Sequence, residues 1–238
     1  MARLARVIAV GVPHHVTQRG NARRYLLDSD ADRMVYLSLL REYVELYELS
    51  LLGYGWMSNH VPLVVIARTS AALALVLKQT QGRYATDWNV SRKSSGHAWQ
   101  GRFYCCRLDQ AHLWAGLRYR EGNPVRAGRV ERAEDWRWSR AAVHGGITAP
   151  AGLLDLDPWQ ERWDSSRWQP SVREQDGEEE VAGIREGTPT GRPWGTAEFV
   201  AAMETDPQRC LTPQKRGRRK RPTEDRPGIL VFDQKDKE

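Results

Sequence analysis

The sequence predicts an α+β protein on a ferredoxin-like antiparallel sheet, with the order β-α-β-β-α-β-α and helices covering one face. Short apolar or β-branched stretches occur in four places. Apolar residues recur at helical spacing in three others, and the two middle strands follow one another with only a turn between them.

Val7 to Thr17 alternates and is β-branched, which reads as a strand running to the turn signal Arg19-Gly20-Asn21. Asp28-Ser29-Asp30 supplies N-cap residues for a helix whose Met34, Leu37, Leu40, Val44 and Tyr47 share a face. Leu51 to Met57 and Val61 to Ile66 are the next two strands. They lie in a stretch, Leu49 to Ala67, that carries no charge and is nearly long enough to span a bilayer. Gly53, Gly55, Ser58, Asn59, His60 and Pro62 interrupt it, which argues for two buried strands and against a membrane protein. Ser70 is expected to cap a second helix lined by Leu73, Leu77, Thr80, Tyr84 and Trp88. Gln100 to Leu108 reads as the fourth strand, and Asp109 caps a third helix through Leu113 and Leu117.

The character then changes. Trp136, Trp138, Trp159, Trp163 and Trp168 sit among Asp, Pro and Ser, predicting short helices packed on the main domain; residues 174–180 are acidic and read as solvated. Six of the seven residues from Lys215 to Arg221 are basic, the pattern of a flexible arm. The expected division is a main domain over 1–146 and a Trp-rich, acidic extension over 147–186. A segment with the basic arm over 187–222 and a disordered tail over 223–238 complete it. The extension as a whole is thus expected to be partly helical and partly disordered.

Composition narrows the function. Of 238 residues, 40% are hydrophobic and 28% charged, which supports a real core and excludes wholesale disorder. Cys105, Cys106 and Cys210 can build neither a disulfide framework nor a zinc site of paired spacing. With no leader-like pattern at the start, a cytoplasmic, nucleoid-associated location is expected. Residues 1–146 carry a net charge of +9 and the remainder −3, and arginine supplies 30 of the 36 cations. Arginine suits bidentate phosphate contact, so a polyanion, nucleic acid first, is the expected partner.

Four segments carry a resemblance. They are His14-His15-Val16-Thr17-Gln18-Arg19-Gly20-Asn21, Met57-Ser58-Asn59-His60-Val61-Pro62-Leu63, Gly96-His97-Ala98-Trp99-Gln100-Gly101-Arg102-Phe103, and Leu117 to Gly128 with Asn123-Pro124-Val125-Arg126 at its centre. In this order they resemble the single-tyrosine transposases that act on single-stranded DNA, in the branch of REP-associated tyrosine transposases. Thr190-Gly191-Arg192-Pro193-Trp194-Gly195, Phe199 and the basic arm resemble the carboxy-terminal part of that branch.

The resemblance implies an enzyme, a metal-dependent transposase and single-strand endonuclease. It binds hairpin or single-stranded DNA and cleaves and rejoins it through a 5′-phosphotyrosine, with a divalent metal, Mg or Mn, polarising the phosphate. It places the nucleophile at Tyr119 and metal ligands at His60 and Asn123. The family's second strand histidine falls on Pro62, which offers no ligand. Weakened metal binding is therefore expected, and the alternative reading is an inactive hairpin-DNA-binding protein of the same fold.

Arg19, Arg102, Arg118, Arg120 and Arg126 are candidate phosphate contacts, as are Lys215, Arg216, Arg218, Arg219, Lys220 and Arg221 of the arm. Tyr119 shares a helix face with His112 and Gly116, off the Leu113/Leu117 stripe, and is expected to be exposed. Adjacent His14 and His15 should point to opposite faces of their strand as structural or DNA-facing groups, with His15 a remote substitute ligand. Trp99 and Phe103 read as core. Either a monomer or a homodimer accommodates the resemblance.

Overall fold

The structure, a computed structural model, describes residues 8–149, 152–174 and 178–203. Four strands, β1 (Pro13–Arg19), β2 (Leu49–Tyr54), β3 (His60–Ala67) and β4 (Tyr104–Arg107), form one antiparallel sheet in the order β2-β3-β1-β4. Helix α1 (Asp30–Leu46) links β1 to β2, α2 (Ala72–Ser91) links β3 to β4, and α3 (Gln110–Glu121) follows β4. This is the ferredoxin-like order expected.

Alternation assigns the two faces. Val16, Val61, Leu63, Val65 and Cys105 belong to one core with Tyr36 and Leu40 of α1 and with Leu73, Leu77 and Tyr84 of α2. Trp99 and Phe103 join it, as expected for core residues. On the other face, Val64 of β3 and Leu52 of β2 pack against Leu113, Trp114 and Leu117 of α3. The helical cover expected on one face is thus α1 and α2, and the opposite face takes α3. Cross-strand register sets His15, Thr17 and Arg19 of β1 beside Val64, Pro62 and His60 of β3 on this second face.

The chain continues as α4 (Asn123–Arg126), α5 (Ala141–His144), α6 (Asp157–Gln160), α7 (Ser165–Arg173), α8 (Glu178–Thr190) and α9 (Ala197–Met203). Trp159 and Trp168 are buried against α3, so the tryptophans dock on the main sheet as predicted. Helix α8 packs on β4, and Trp194 N donates to the Arg107 carbonyl at 2.8 Å. Residues 215–221 lie outside the described residues. Among the described residues no helix is long and apolar enough to cross a membrane.

Element ends differ from expectation for local reasons. β1 begins at Pro13 because Gly11, at φ +73°, turns the chain just before it. β2 runs from Leu49 only to Tyr54, since Gly55 pairs with Ser139 and Trp56 N donates to the Trp138 carbonyl at 2.8 Å. β4 shrinks to Tyr104–Arg107 because Gly101, at φ +81°, breaks the strand. Ser29 caps α1 in a reciprocal box with Asp32. At α2 Ser70 is not the cap: the N-cap position is Ala71, which makes no side-chain cap hydrogen bond, and Thr69 Oγ1 accepts from Ala72 N at 3.2 Å.

Candidate active site

Three local devices seat α3 on the sheet. At its start, Asp109 Oδ1 accepts from His112 N at 2.8 Å, and Oδ2 accepts from Thr196 N at 2.8 Å, tying the helix to the chain ahead of α9. Beneath it, β2 and its end carry glycines. A Cβ on Gly53 would lie 2.5 Å from Leu117 Cδ2, and one on Gly55 would lie 2.7 Å from the Arg120 carbonyl oxygen. At its end, the buried Glu121 carboxylate accepts from Trp168 Nε1 at 2.8 Å and also pairs with His144 Nδ1. Pro124 cannot donate to the helical ladder, yet Gly122 keeps helical angles (φ −75°, ψ −10°) and Arg126 N donates to its carbonyl at 3.1 Å. The coil therefore continues from Tyr119 through Asn123, and the two keep their i,i+4 relation across the break.

Tyr119 is buried, at 7% exposure, where the helical pattern predicted an exposed side chain. The correction comes from the extension, whose α8 brings Arg185 over the site. Three guanidinium groups surround the phenol ring. The carbons of Arg126, Arg120 and Arg185 lie 4.3, 4.9 and 6.0 Å from its centroid. Arg185 Nε donates to the phenolic oxygen at 3.2 Å, and Arg126 donates to the Tyr119 carbonyl. The ring is thus packed among cations rather than in the hydrophobic core.

Arg120 is buried just as deeply, at 7% exposure. One terminal nitrogen of its guanidinium donates to His15 Nε2. His15 Nδ1 donates to Thr188 Oγ1 at 2.7 Å, and the Thr188 hydroxyl donates to the Ile184 carbonyl at 2.7 Å. This one-way chain fixes the His15 tautomer and roots Arg120 in α8. Arg120 Nε meets no partner, and no carboxylate pairs with the guanidinium among the described residues. Burial pulls the Arg120 pKa down to about 10, opposed by Tyr119 and Cys106.

His60, at the start of β3, is half-buried in surface terms though closely surrounded by protein atoms. Its Nδ1 lies 2.8 Å from Asn59 Oδ1, an arrangement that leaves Nε2 as the acceptor. Burial, then the charges of Arg120 and Arg19, push its pKa down to about 3. His15 is held well below the usual imidazole value by burial, then by Arg120 and His60. Both rings are neutral and share the electrostatic surroundings of one guanidinium.

The divalent metal implied by the resemblance finds a poor donor set in these side chains. Pro62 supplies nothing, and it sits in the central strand only because the pairing of β2 with β3 ends at Tyr54 and Leu63, one residue short of it. His60 has one nitrogen left. Asn123 is half-buried and its side chain hydrogen-bonds to no described residue. Among the described residues no group of three His, Cys, Asp or Glu side chains could hold a metal ion. Two arginines beside His60 add positive charge where a dication would have to sit. One imidazole, one amide and two cations do not fit a resident divalent ion.

The other predicted residues divide. Arg19 ends β1, exposed and paired in register with His60, and Arg126 is exposed over Tyr119. Arg102 is exposed in the loop before β4, where Gln100 N donates to the Arg19 carbonyl at 2.9 Å. Arg118 is half-buried on α3. Lys215, Arg216, Arg218, Arg219, Lys220 and Arg221 lie outside the described residues. His14 is structural: its Nδ1 donates to the Val12 carbonyl at 2.8 Å, and Nε2 accepts from Ala9 N at 3.3 Å. Sequence reading passed over Arg185, which lies 66 positions from Tyr119 with no spacing to link them.

Residues 10–122, just under half of the chain, match the family described as transposase IS200 like. The matched stretch reaches from the turn before β1 to the end of α3. Among solved structures the chain is similar to a REP-associated tyrosine transposase bound to a REP hairpin, at 15% identity. That likeness covers 66% of this chain and 96% of the other with a TM-score of 0.50, and it shows a shared fold. A candidate transposase from Deinococcus radiodurans R1 is 16% identical, over 46% of this chain and 88% of that one, with a TM-score of 0.36. No curated protein matches the chain.

Proposed function

We propose that this protein binds single-stranded DNA through a hairpin and cleaves and rejoins it, with Tyr119 as the nucleophile. The observation that carries this reading is Tyr119 buried among Arg120, Arg126 and Arg185, a setting built for a phosphate rather than for an apolar core. The structural neighbour is itself bound to a hairpin, and the basic balance of the main domain suits a polyanion. The strand breaks at the bond between phosphorus and the 3′ oxygen, Tyr119 takes the 5′ phosphate, and the other fragment keeps a 3′ hydroxyl. Arg19 and Arg102 hold the backbone at the mouth of the site, and the 215–221 run adds contacts that do not read bases.

The test incubates the protein with a labelled hairpin-bearing single strand and examines both fragments. A 3′ end that a polymerase extends and a 5′ end attached to protein are expected. Intact DNA under all conditions contradicts the reading. Pro62 favours a second reading, a hairpin-binding protein that no longer cuts. Tight, salt-sensitive binding without adducts, together with Mn²⁺-dependent adducts from Pro62→His, is the outcome that supports it.

A further inference from the structure

We infer that the Arg120 guanidinium is the electrophile of this site, taking the non-bridging oxygens of the scissile phosphate in the place the family's metal ion would hold. The inference rests on the reading of Tyr119 as nucleophile. Its ground is a disagreement between donor set and family. The second histidine position is Pro62, and the buried Arg120 guanidinium donates to His15 on β1, the strand paired with the one that carries His60 and Pro62.

A buried guanidinium normally has a carboxylate partner, because burying a lone charge is expensive. Arg120 has none among the described residues. Its contacts are a neutral imidazole and the face of the Tyr119 ring, and its Nε is buried with no acceptor. The N–H edge is thus prepared for an anion that no described residue supplies. Arg120 follows Tyr119 in sequence, and its guanidinium carbon lies 4.9 Å from the centre of that ring, beside the group that the proposed reaction joins to phosphorus. The His15-Thr188-Ile184 chain fixes the rotamer from behind, which an adventitious buried arginine has no need of.

The chemistry balances without a co-reactant. The Tyr119 oxygen forms a bond to phosphorus, the bond from phosphorus to the 3′ oxygen breaks, and the phenol proton ends on the released 3′ hydroxyl. Through the pentacoordinate state the non-bridging oxygens gain negative charge, which a planar two-pronged donor stabilises.

The experiment measures covalent adducts of the full chain with a labelled single strand that carries one hairpin between randomised flanks, in excess EDTA and in Mg²⁺ or Mn²⁺. The expected result is equal rates in both. Arg120→Ala should lower the rate by about 10²–10³-fold. Ethylguanidinium added to Arg120→Ala should restore part of it, whereas it would not repair a merely structural defect. Arg120→Lys should fall between, having charge without the fork. Adducts that form only with Mg²⁺ or Mn²⁺ overturn the inference and leave Tyr119 as nucleophile. An Arg120→Ala chain that reacts like the parent does the same. If that variant does not fold, the EDTA comparison on the parent chain still decides. No adduct under either condition removes the Tyr119 reading, and the inference with it.

Discussion

Glu121 shows how single residues hold the site in place. Its carboxylate accepts from the Trp168 indole at 2.8 Å and pairs with His144 in a fully buried position two residues beyond Tyr119. Glu121→Ala would leave two buried donors without acceptors, so a loss of about 3–5 kcal/mol in a denaturant melt is expected. Loss below about 1 kcal/mol would mean that the extension does not anchor α3. Gly55 makes the same point sterically. Gly55→Ala drives a methyl against the Arg120 carbonyl, lifting the helix that carries Tyr119. A cost of about 1–3 kcal/mol is expected, with adduct formation slowed alongside it. Gly82, exposed on α2 with nothing near its Cβ position, is the control: Gly82→Ala should stabilise by about 0.5–1 kcal/mol. Of the candidate site, the sequence pointed to Tyr119, His60, Arg120 and Arg126, because motif residues adjoin one another along the chain, and the structure packs Arg120 and Arg126 against the Tyr119 ring. Arg185, and the burial it imposes on Tyr119, had no such signal. That contact joins residues with no common period, and a helical wheel sees only one helix.

At the scale of elements, the alternation of β1 and β3 and the apolar spacing of α1, α2 and α3 declared the sheet and its helices, since each buries a periodic face. Their ends were less legible. Gly11, Gly101 and the Ser139 bridge cut strands short through turn geometry and tertiary pairing, neither of which has a periodic trace. The second covered face was hidden too, because the residues that complete it come from tryptophans more than 30 positions beyond α3. The strands also predict a pH response. His14 of β1 is lowered to about 4, by burial above all, and His60 of β3 to about 3. Both are neutral in the folded chain and bind protons near pH 6.5 once unfolded, so the unfolded state holds more protons between those values. Stability is therefore undiminished above about pH 6.5 and falls as pH drops toward 4, by roughly 1.4 kcal/mol per unit for each histidine. Denaturant midpoints at pH 7 and pH 5 check this, with the drop reduced in His14→Gln. Equal midpoints would contradict the neutral, buried state of these rings.

For the whole molecule, charge is the organising property. The main domain is strongly basic, the remainder slightly acidic, and yet six of the seven residues 215–221 are cations. If that run contacts phosphates, shortening the chain to residues 1–203 should lower the salt dependence of hairpin binding. A slope change of about 2–4 in log K against log salt corresponds to three to six lost contacts on a single strand. An unchanged slope would assign all binding to the sheet and its loops. The domain that matches IS200-like transposases, residues 10–122, supplies the tyrosine, both histidines and Arg120, whereas Arg185 and Thr188 come from α8 beyond it. Tyr119 and the guanidinium groups around it are thus held from two separate parts of the chain, which makes the extension part of the proposed site.

The proposed cleavage requires the phenolic oxygen of Tyr119 to reach a phosphodiester. The direct measurement is peptide mass mapping of the protein after reaction with a hairpin-bearing single strand, for the parent chain and for Tyr119→Phe. A nucleotide mass on the peptide that contains Tyr119, absent from the Phe variant, is the predicted result. Nucleotide attached to another residue, or adducts that persist in Tyr119→Phe, would contradict it.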